Sequence, residues 1–288
     1  MTIEHLALDG GGPFGLITLG ALRRSHGLGL WQMEEIKSIR CISSGSIVAV
    51  SLLLHADWEM LYNYYVNRPW GECMTCLLTK IPLCTEELCT IMLEPLITAA
   101  DLTIDVTFKE LHASTKKELR IIASEISENL SPIEFSHKTH PNMKIIKACA
   151  VSCALFPFFR PVFMNKRVYL DGAFATGNYA LANASKDVVE KTMHLIFVWS
   201  NDAVIEEEAF LTIAPIVLGS MIAAVRSTQA GSRVPKIRIE LLGGKRSVEE
   251  WLEVVNKLEI REGYVARGTK IVESFIASHL VDKLCQKR

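Results

Sequence analysis

Three short stretches carry residue types and spacings that could do chemistry: "DGGGPFG" at Asp9–Gly15, "CISSG" at Cys41–Gly45 and "DGA" at Asp171–Ala173. Each follows an apolar run that reads as a strand. A serine on a cramped strand-to-helix turn needs small residues two before and two after it, because those positions nearly collide. Ser43 meets that test, with Cys41 before it and Gly45 after. Ser44 sits between Ile42 and Ser46, and Ser46 already lies in the helix that follows. The Ser43 hydroxyl would then stand at a helix N-terminus, where the dipole favours a developing negative charge. Taken alone, the stretch also reads as a serine-rich helix cap.

A serine hydroxyl is a poor nucleophile at neutral pH without a base. There are eight histidines, none in a telling context. In the hydrolase chain order Ser…Asp…His, His194 or His279 would follow Asp171. A carboxylate held in a shielded site would serve directly, and Asp171 is the best candidate. It ends a strand, and Gly172 lets the chain turn sharply around it. Taken alone, Asp171 also reads as a strand-end turn residue.

Gly10, Gly12 and Gly15 spell G-x-G-x-x-G, a weak signal by itself. A dinucleotide site wants an acid at the end of the second strand. Glu34 and Glu35 have roughly the right offset but precede that strand, and no acid stands at Cys41–Ser44. No Gly-Lys-Ser/Thr follows, which excludes a P-loop. Beside Ser43 the loop has another use. The amides of Gly10, Gly11 and Gly12, with that of Ser44, could hold the oxyanion of an acyl-transfer intermediate.

The elements that must position these residues follow from apolar patterning. Ile3–Leu8, Ser38–Ile42, "ELRIIASEIS", "RVYLDG", "HLIFVWS" and "KIRIELL" read as strands, with "SPIEFS" pairing to the third. Between them lie helices: one to about Ser25, "GSIVAVSLLLHA" buried nearly all round, Asp57–Ala100 and "NMKIIKACAVSCA". Thr107 with Glu110, and Ser247 with Glu250, read as helix-capping pairs. Ile260–Lys283 reads as a long closing helix. Strands alternating with helices imply one α/β domain over residues 1–288 with a largely parallel sheet, whose ligands lie beyond the strand carboxyl ends.

With 49% hydrophobic residues and a net charge of −1, the chain can bury a large core and shows no basic excess for nucleic-acid binding. The apolar run Ala209–Val225 is interrupted by Pro215 and Gly219 and falls short of the roughly 20 residues that cross a bilayer. It reads as a buried helix. The N-terminal residues lack the features of a secretory signal. The expectation is a cytoplasmic protein, peripheral at membranes, with reduced thiols. Cys73 and Cys76 form a C-x-x-C near Cys84 and Cys89, but the second pair has the wrong spacing for a zinc knuckle. Ordinary buried cysteines and no metal are expected.

Taken together, the three stretches resemble the patatin-like phospholipase family, whose pattern is D-G-G-G-x-R/K-G, then G-x-S-x-G, then D-G-A/G. "ACAVSCALFPFFRPV" at Ala148–Val162 is similar to the helix and Phe-Pro turn that precede the last motif in that family. The resemblance covers about residues 1 to 185. It implies a three-layer α/β/α fold, a Ser–Asp dyad of Ser43 and Asp171 without histidine, no cofactor, and hydrolysis of phospholipid or acylglycerol esters with transient contact to a lipid surface. Two residues depart from the pattern. Cys41 replaces the first elbow glycine, and Phe14 replaces a basic residue, removing a charge near the oxyanion loop. Phe156, Phe158, Phe159 and Phe163 are candidates for an acyl channel or a bilayer contact. The competing readings are a catalytically impaired lipid-binding relative, an acyltransferase using the same dyad, and a nucleotide-binding oxidoreductase.

Overall fold

The computed structural model describes residues 2–55, 57–78, 82–198, 210–228, 234–243 and 248–285. Among them, eight strands make one sheet: β1 (His5–Leu8), β2 (Ser38–Ile42), β3 (Glu118–Glu125), β4 (Ser131–Phe135), β5 (Val162–Met164), β6 (Arg167–Asp171), β7 (Thr192–Val198) and β8 (Ile237–Leu242). The helices begin with α1 (Gly15–Gly27), α2 (Ser44–Leu54), α3 (Trp58–Asn67), α4 (Trp70–Leu78), α5 (Thr85–Ala99) and α6 (Phe108–Thr115). They continue with α7 (Ile145–Ser152), α8 (Ala173–Thr176), α9 (Lys186–Glu190), α10 (Phe210–Thr228), α11 (Val248–Asn256) and α12 (Leu258–Cys285). The strand order is β5-β6-β3-β2-β1-β7-β8, with β4 also against β3.

Strands β1, β2 and β7 are buried almost throughout and mostly apolar, as strands covered by helices on both faces are, and the buried Arg40 of β2 is held by Glu134 and the Ala180 and Ala182 carbonyls. Strand β8 alternates buried and exposed positions along its length. The pairs from β3 through β2, β1 and β7 to β8 are parallel. Strands β4, β5 and β6 depart from that pattern: β4 and β6 run antiparallel to β3, and β5 antiparallel to β6. The sheet is therefore mixed, mostly parallel and flanked by helices. The capping box at Thr107 and Glu110 starts α6 as expected, each residue bonding the other's backbone. Ser247 of the second expected cap lies outside the described residues, as do Ala56, Trp199, Ser200 and Ala209.

The last helix closes the fold against the first. A β-carbon on Gly20 of α1 would lie 2.1 Å from the Val265 carbonyl oxygen, and one on Gly268 of α12 the same distance from that of Ile17. Only glycine allows the two backbones so close. Phe14, at the entry to α1, is fully buried with its ring edge-on to Tyr264 of α12, centroids 5.2 Å apart. The position read as missing a charge near the oxyanion loop is also a packing position in the core. The expectation of a buried helix at residues 209–225 also needs correction. Leu218 of α10 is buried, but Val217 and Met221 are 51% and 55% exposed. The helix lies along one side of the site and shows its other face to solvent. A β-carbon on Gly177, just after α8, would lie 2.3 Å from the Arg226 amide nitrogen of α10.

Candidate active site

Register along β3 brings the two candidate catalytic residues together. Strand β2 pairs with residues 118–122 of β3, its last residue Ile42 opposite Ile122. Strand β6 takes up the next residues, with Asp171 opposite Ala123. Because β2 is parallel to β3 and β6 antiparallel, the two carboxyl ends meet head to head. Ser43 follows one and Asp171 ends the other. The sequence expectation put both at strand carboxyl ends; it did not contain the reversal of β6.

Ser43 has φ 53° and ψ −132°, a conformation an L-residue holds at a cost of about 1–3 kcal/mol and only where the surroundings over-determine it. Those surroundings are visible. A β-carbon on Gly45 would lie 2.5 Å from the Leu8 carbonyl oxygen and 2.8 Å from that of Asp9. The Ser43 amide donates to Ser152 Oγ at 2.8 Å, and that hydroxyl donates onward to the Ile122 carbonyl at 2.6 Å. Ser46 Oγ donates to the Ser43 carbonyl at 2.6 Å. Cys41 fits without crowding the turn: it is fully buried, its thiol reaches the Arg120 carbonyl at 3.4 Å, and burial pushes its pKa up.

Asp171 is fully buried. Its Oδ1 accepts from the Ala173 amide at 2.9 Å, and its backbone is held by Ser124 Oγ and the Ala154 carbonyl. Among the described residues its Oδ2 has no hydrogen-bond partner at normal distance. The Ser43 hydroxyl is near enough to lower the carboxyl's pKa, but burial outweighs it and raises the value to about 7. Gly172 does not serve as a left-handed hinge, since its φ is −59°. It is needed because a β-carbon there would lie 2.4 Å from the Ile122 carbonyl oxygen.

The glycine loop packs directly against Ser43: a β-carbon on Gly10 would lie 2.6 Å from Ser43 Cβ. The Gly10 amide donates to Asn178 Oδ1 at 2.7 Å, and Asn178 Nδ2 donates back to the Gly10 carbonyl at 2.7 Å. The Gly11 amide donates to Ser44 Oγ at 2.9 Å. Gly12 has φ +55°, and its amide has no partner among the described residues. Of the predicted donors, Gly12 is open, Gly11 is held by a movable hydroxyl, and Gly10 is occupied by a buried amide side chain. The Ser44 amide, in the first turn of α2, has no acceptor within its own helix. Asn178 itself sits at φ 58°, so Asn178→Gly removes the two hydrogen bonds without backbone strain. That variant is expected to lose about 1–3 kcal/mol in urea unfolding. It is also expected to lose about ten- to a hundred-fold in kcat, because the loop is no longer fixed.

Asp9 serves the frame. It is buried, and its Oδ1 accepts from the Ala180 amide at 2.9 Å and from His194 Nε2 at 2.8 Å. Its Oδ2 accepts from the Arg226 guanidinium at 3.3 Å, and Arg226 also donates to the carbonyls of Gly177, Phe197 and Asn178. His194, a candidate base in the sequence, is thereby committed to Asp9. His279 bonds the Phe275 carbonyl on α12. Asn178, Ser152 and Arg226 carry no motif, and only their partners in space reveal them.

Two cavities meet at Ser43. The larger, about 390 Å³, is walled by apolar side chains including Val48, Leu88, Met92 and Phe159. The smaller, about 240 Å³, holds Gly10, Asp171 and Asn178 on one side and Leu218 and Ile222 of α10 on the other. Phe158 and Trp251 of α11, ring centroids 5.5 Å apart, line both. The four candidate phenylalanines thus divide: Phe158 and Phe159 face the cavities, whereas Phe156 and Phe163 are 50% and 73% exposed. Among the described residues no three metal-binding side chains cluster, and Cys73, Cys84 and Cys89 are free thiols.

A family model described as Patatin-like phospholipase matches residues 6–183. VipD from Legionella pneumophila is similar in structure with a TM-score of 0.56 at 13% identity, over 97% of this chain and 67% of that one. The human GIVD cytosolic phospholipase A2 is similar with a TM-score of 0.53 at 12% identity, over 96% of this chain and 59% of that one. In complex with methyl gamma-linolenyl fluorophosphonate inhibitor and terbium chloride, it gives a TM-score of 0.50 at 13% identity, over 97% and 58%. At such identities the likeness is one of fold. The chain spans about two thirds of the first relative and under two thirds of the second. No curated protein sequence matches it.

Proposed function

Because this chain belongs to the patatin-like phospholipase family, we propose that it hydrolyses the acyl esters of phospholipids or acylglycerols, with Ser43 as nucleophile and Asp171 as general base. The observation that carries the reading is the pairing of a strained elbow serine with a buried carboxylate oxygen that has no other partner in the same cavity.

Ser43 Oγ attacks the ester carbonyl carbon while its proton passes to Asp171 Oδ2. The oxyanion accepts from the Gly12 and Ser44 amides, and from Gly11 once the Ser44 hydroxyl turns away. Gly10, held by Asn178, keeps the loop at the right distance. As the carbon–oxygen bond breaks, Asp171 returns the proton to the leaving alkoxide. Water then attacks the acyl-enzyme with the same carboxylate as base, and Ser43 is regenerated. A base titrating near neutrality suits both halves of this cycle. No helix among the described residues is long and apolar enough to cross a membrane. The exposed Phe156 and Phe163 suit a peripheral contact with a lipid surface, from which substrate is drawn.

A fluorophosphonate probe tests the assignment. Unsubstituted protein is expected to take up one label per chain, and Ser43→Ala none, with intact-mass measurement reading both. Full hydrolysis of a long-chain ester by Ser43→Ala would falsify it.

A further inference from the structure

Resting on the reading of Ser43 and Asp171 above, we propose that the ester binds in one orientation, with its acyl chain in the larger cavity and its alcohol portion in the smaller. The proton Asp171 takes from Ser43 Oγ must be returned to the alkoxide oxygen as the carbon–oxygen bond breaks, so the leaving alcohol has to lie within hydrogen-bond reach of that carboxylate. Asp171 lines the smaller cavity and is absent from the walls of the larger one.

The linings agree with this polarity. In the larger cavity Arg261 and Tyr65 are already engaged, while Trp251 Nε1, on the wall shared with the smaller cavity, is buried without a hydrogen-bond partner among the described residues. Arg261 donates to the carbonyls of Val66, Val254 and Val255, and Tyr65 bonds Ser51. Away from that shared wall the lining is mostly aliphatic and aromatic carbon, suited to a chain with no polar atom beyond the ester. The smaller cavity is polar beside Ser43, at Asp171 and Asn178; on the α10 side it is apolar at Leu218, Ile222 and Ala223, with Arg226 engaged by the carbonyls of Gly177, Phe197 and Asn178. That sequence of surfaces matches an alcohol that is polar next to the ester and apolar beyond it, as in a glycerolipid that keeps a second acyl chain. Phe158 and Trp251 stand between the two compartments and keep the portions apart.

Two substitutions, one per cavity, test the orientation against two ester series. The first series varies the acyl chain of p-nitrophenyl esters from butanoyl to hexadecanoyl. The second varies the alcohol of hexanoyl esters from ethanol to octanol. Met92→Trp fills the larger cavity and is expected to lower kcat/KM for the longest acyl chain relative to the shortest by about tenfold or more, leaving the alcohol ratios within about two-fold. Ala223→Trp is expected to do the reverse. Leu88→Phe and Ile222→Phe repeat the test with smaller insertions, and melting curves confirm that each variant is folded. If Met92→Trp shifts the alcohol series, or Ala223→Trp the acyl series, the orientation is overturned. Ser43→Ala runs alongside. Undiminished hydrolysis by that variant brings down the nucleophile assignment itself; crossed selectivities with an inert Ser43→Ala bring down the orientation alone.

Discussion

Asp171→Asn is expected to lower kcat/KM by about 10²–10⁴-fold while making the protein more stable at alkaline pH. The two effects share one cause. The carboxyl is fully buried, its Oδ2 has no hydrogen-bond partner at normal distance among the described residues, and burial raises its pKa from 3.8 to about 7. Asparagine keeps the shape and the acceptor for the Ala173 amide but cannot take the Ser43 proton. Fluorophosphonate labelling should slow along with turnover, because the serine is no longer activated.

The pH dependence follows with a definite sign. The folded-state pKa lies above the unfolded one, so between about pH 4 and pH 7 the native state holds a proton that the unfolded chain has released. Stability is fully present below that window and falls as the pH rises through it. A shift of that size corresponds to about 4 kcal/mol. In Asp171→Asn this loss is absent. Urea unfolding should therefore give nearly equal stabilities at pH 4 and a clear advantage for the variant at pH 8. Activity runs the other way. The proposed base must be ionised to act, so kcat/KM of the unsubstituted protein is expected to rise with pH to a plateau above about 7 and to be roughly thirty-fold lower at pH 5.5. A flat profile across that range, or a variant less stable at pH 8, would contradict the role given to this carboxylate.

Ser43 and Asp171 stand out as the proposed dyad in the sequence because their signals are local. A serine with small residues at two before and two after, and an aspartate between a strand and a glycine, are patterns within five residues. What holds the dyad in place is not local. Asn178 bonds Gly10 across 168 residues, and Ser152 bonds Ser43 across 109. Nothing in "NYA" or "VSCA" announces those partners. The direction of β6 was equally hidden, since "RVYLDG" is the same strand whichever way it runs, and only pairing with β3 decides. Phe14 has a second role that was hidden for a related reason. Its departure from the family pattern removes a charge, and its side chain also packs on Tyr264 in a helix more than two hundred residues away. Composition identified the apolar run of α10. Which of its faces would be covered depended on α8 and the turn at Gly177, which the helix meets through Arg226 only in the tertiary structure.

Asp9→Ala is expected to destabilise the protein by about 3–5 kcal/mol, the cost of removing one partner from a buried charge network. Asp9 and Asp171 are both buried carboxylates close to Ser43 in space, yet the expected signs are opposite, and the reason is the number of donors. Asp9 accepts from the Ala180 amide, His194 Nε2 and the Arg226 guanidinium. Its removal leaves a fully buried histidine nitrogen and a buried amide without acceptors, and it takes the anionic partner from Arg226. Arg226 is partly solvated and keeps three carbonyl acceptors, which places the expected loss toward the lower end of that range. The carboxylate also ties the residue before Gly10 to β7, α10 and the turn that carries Asn178, so kcat should fall with stability as the oxyanion loop loosens. Asp9→Asn keeps an acceptor for the Ala180 amide but loses the charge, and should fall between the two. Urea unfolding of Asp9→Ala and Asp171→Asn at pH 8 gives the discriminating comparison. Destabilisation by the first and stabilisation by the second would follow from one frame carboxylate and one working carboxylate, and the same sign for both would mean that this division of labour is wrong.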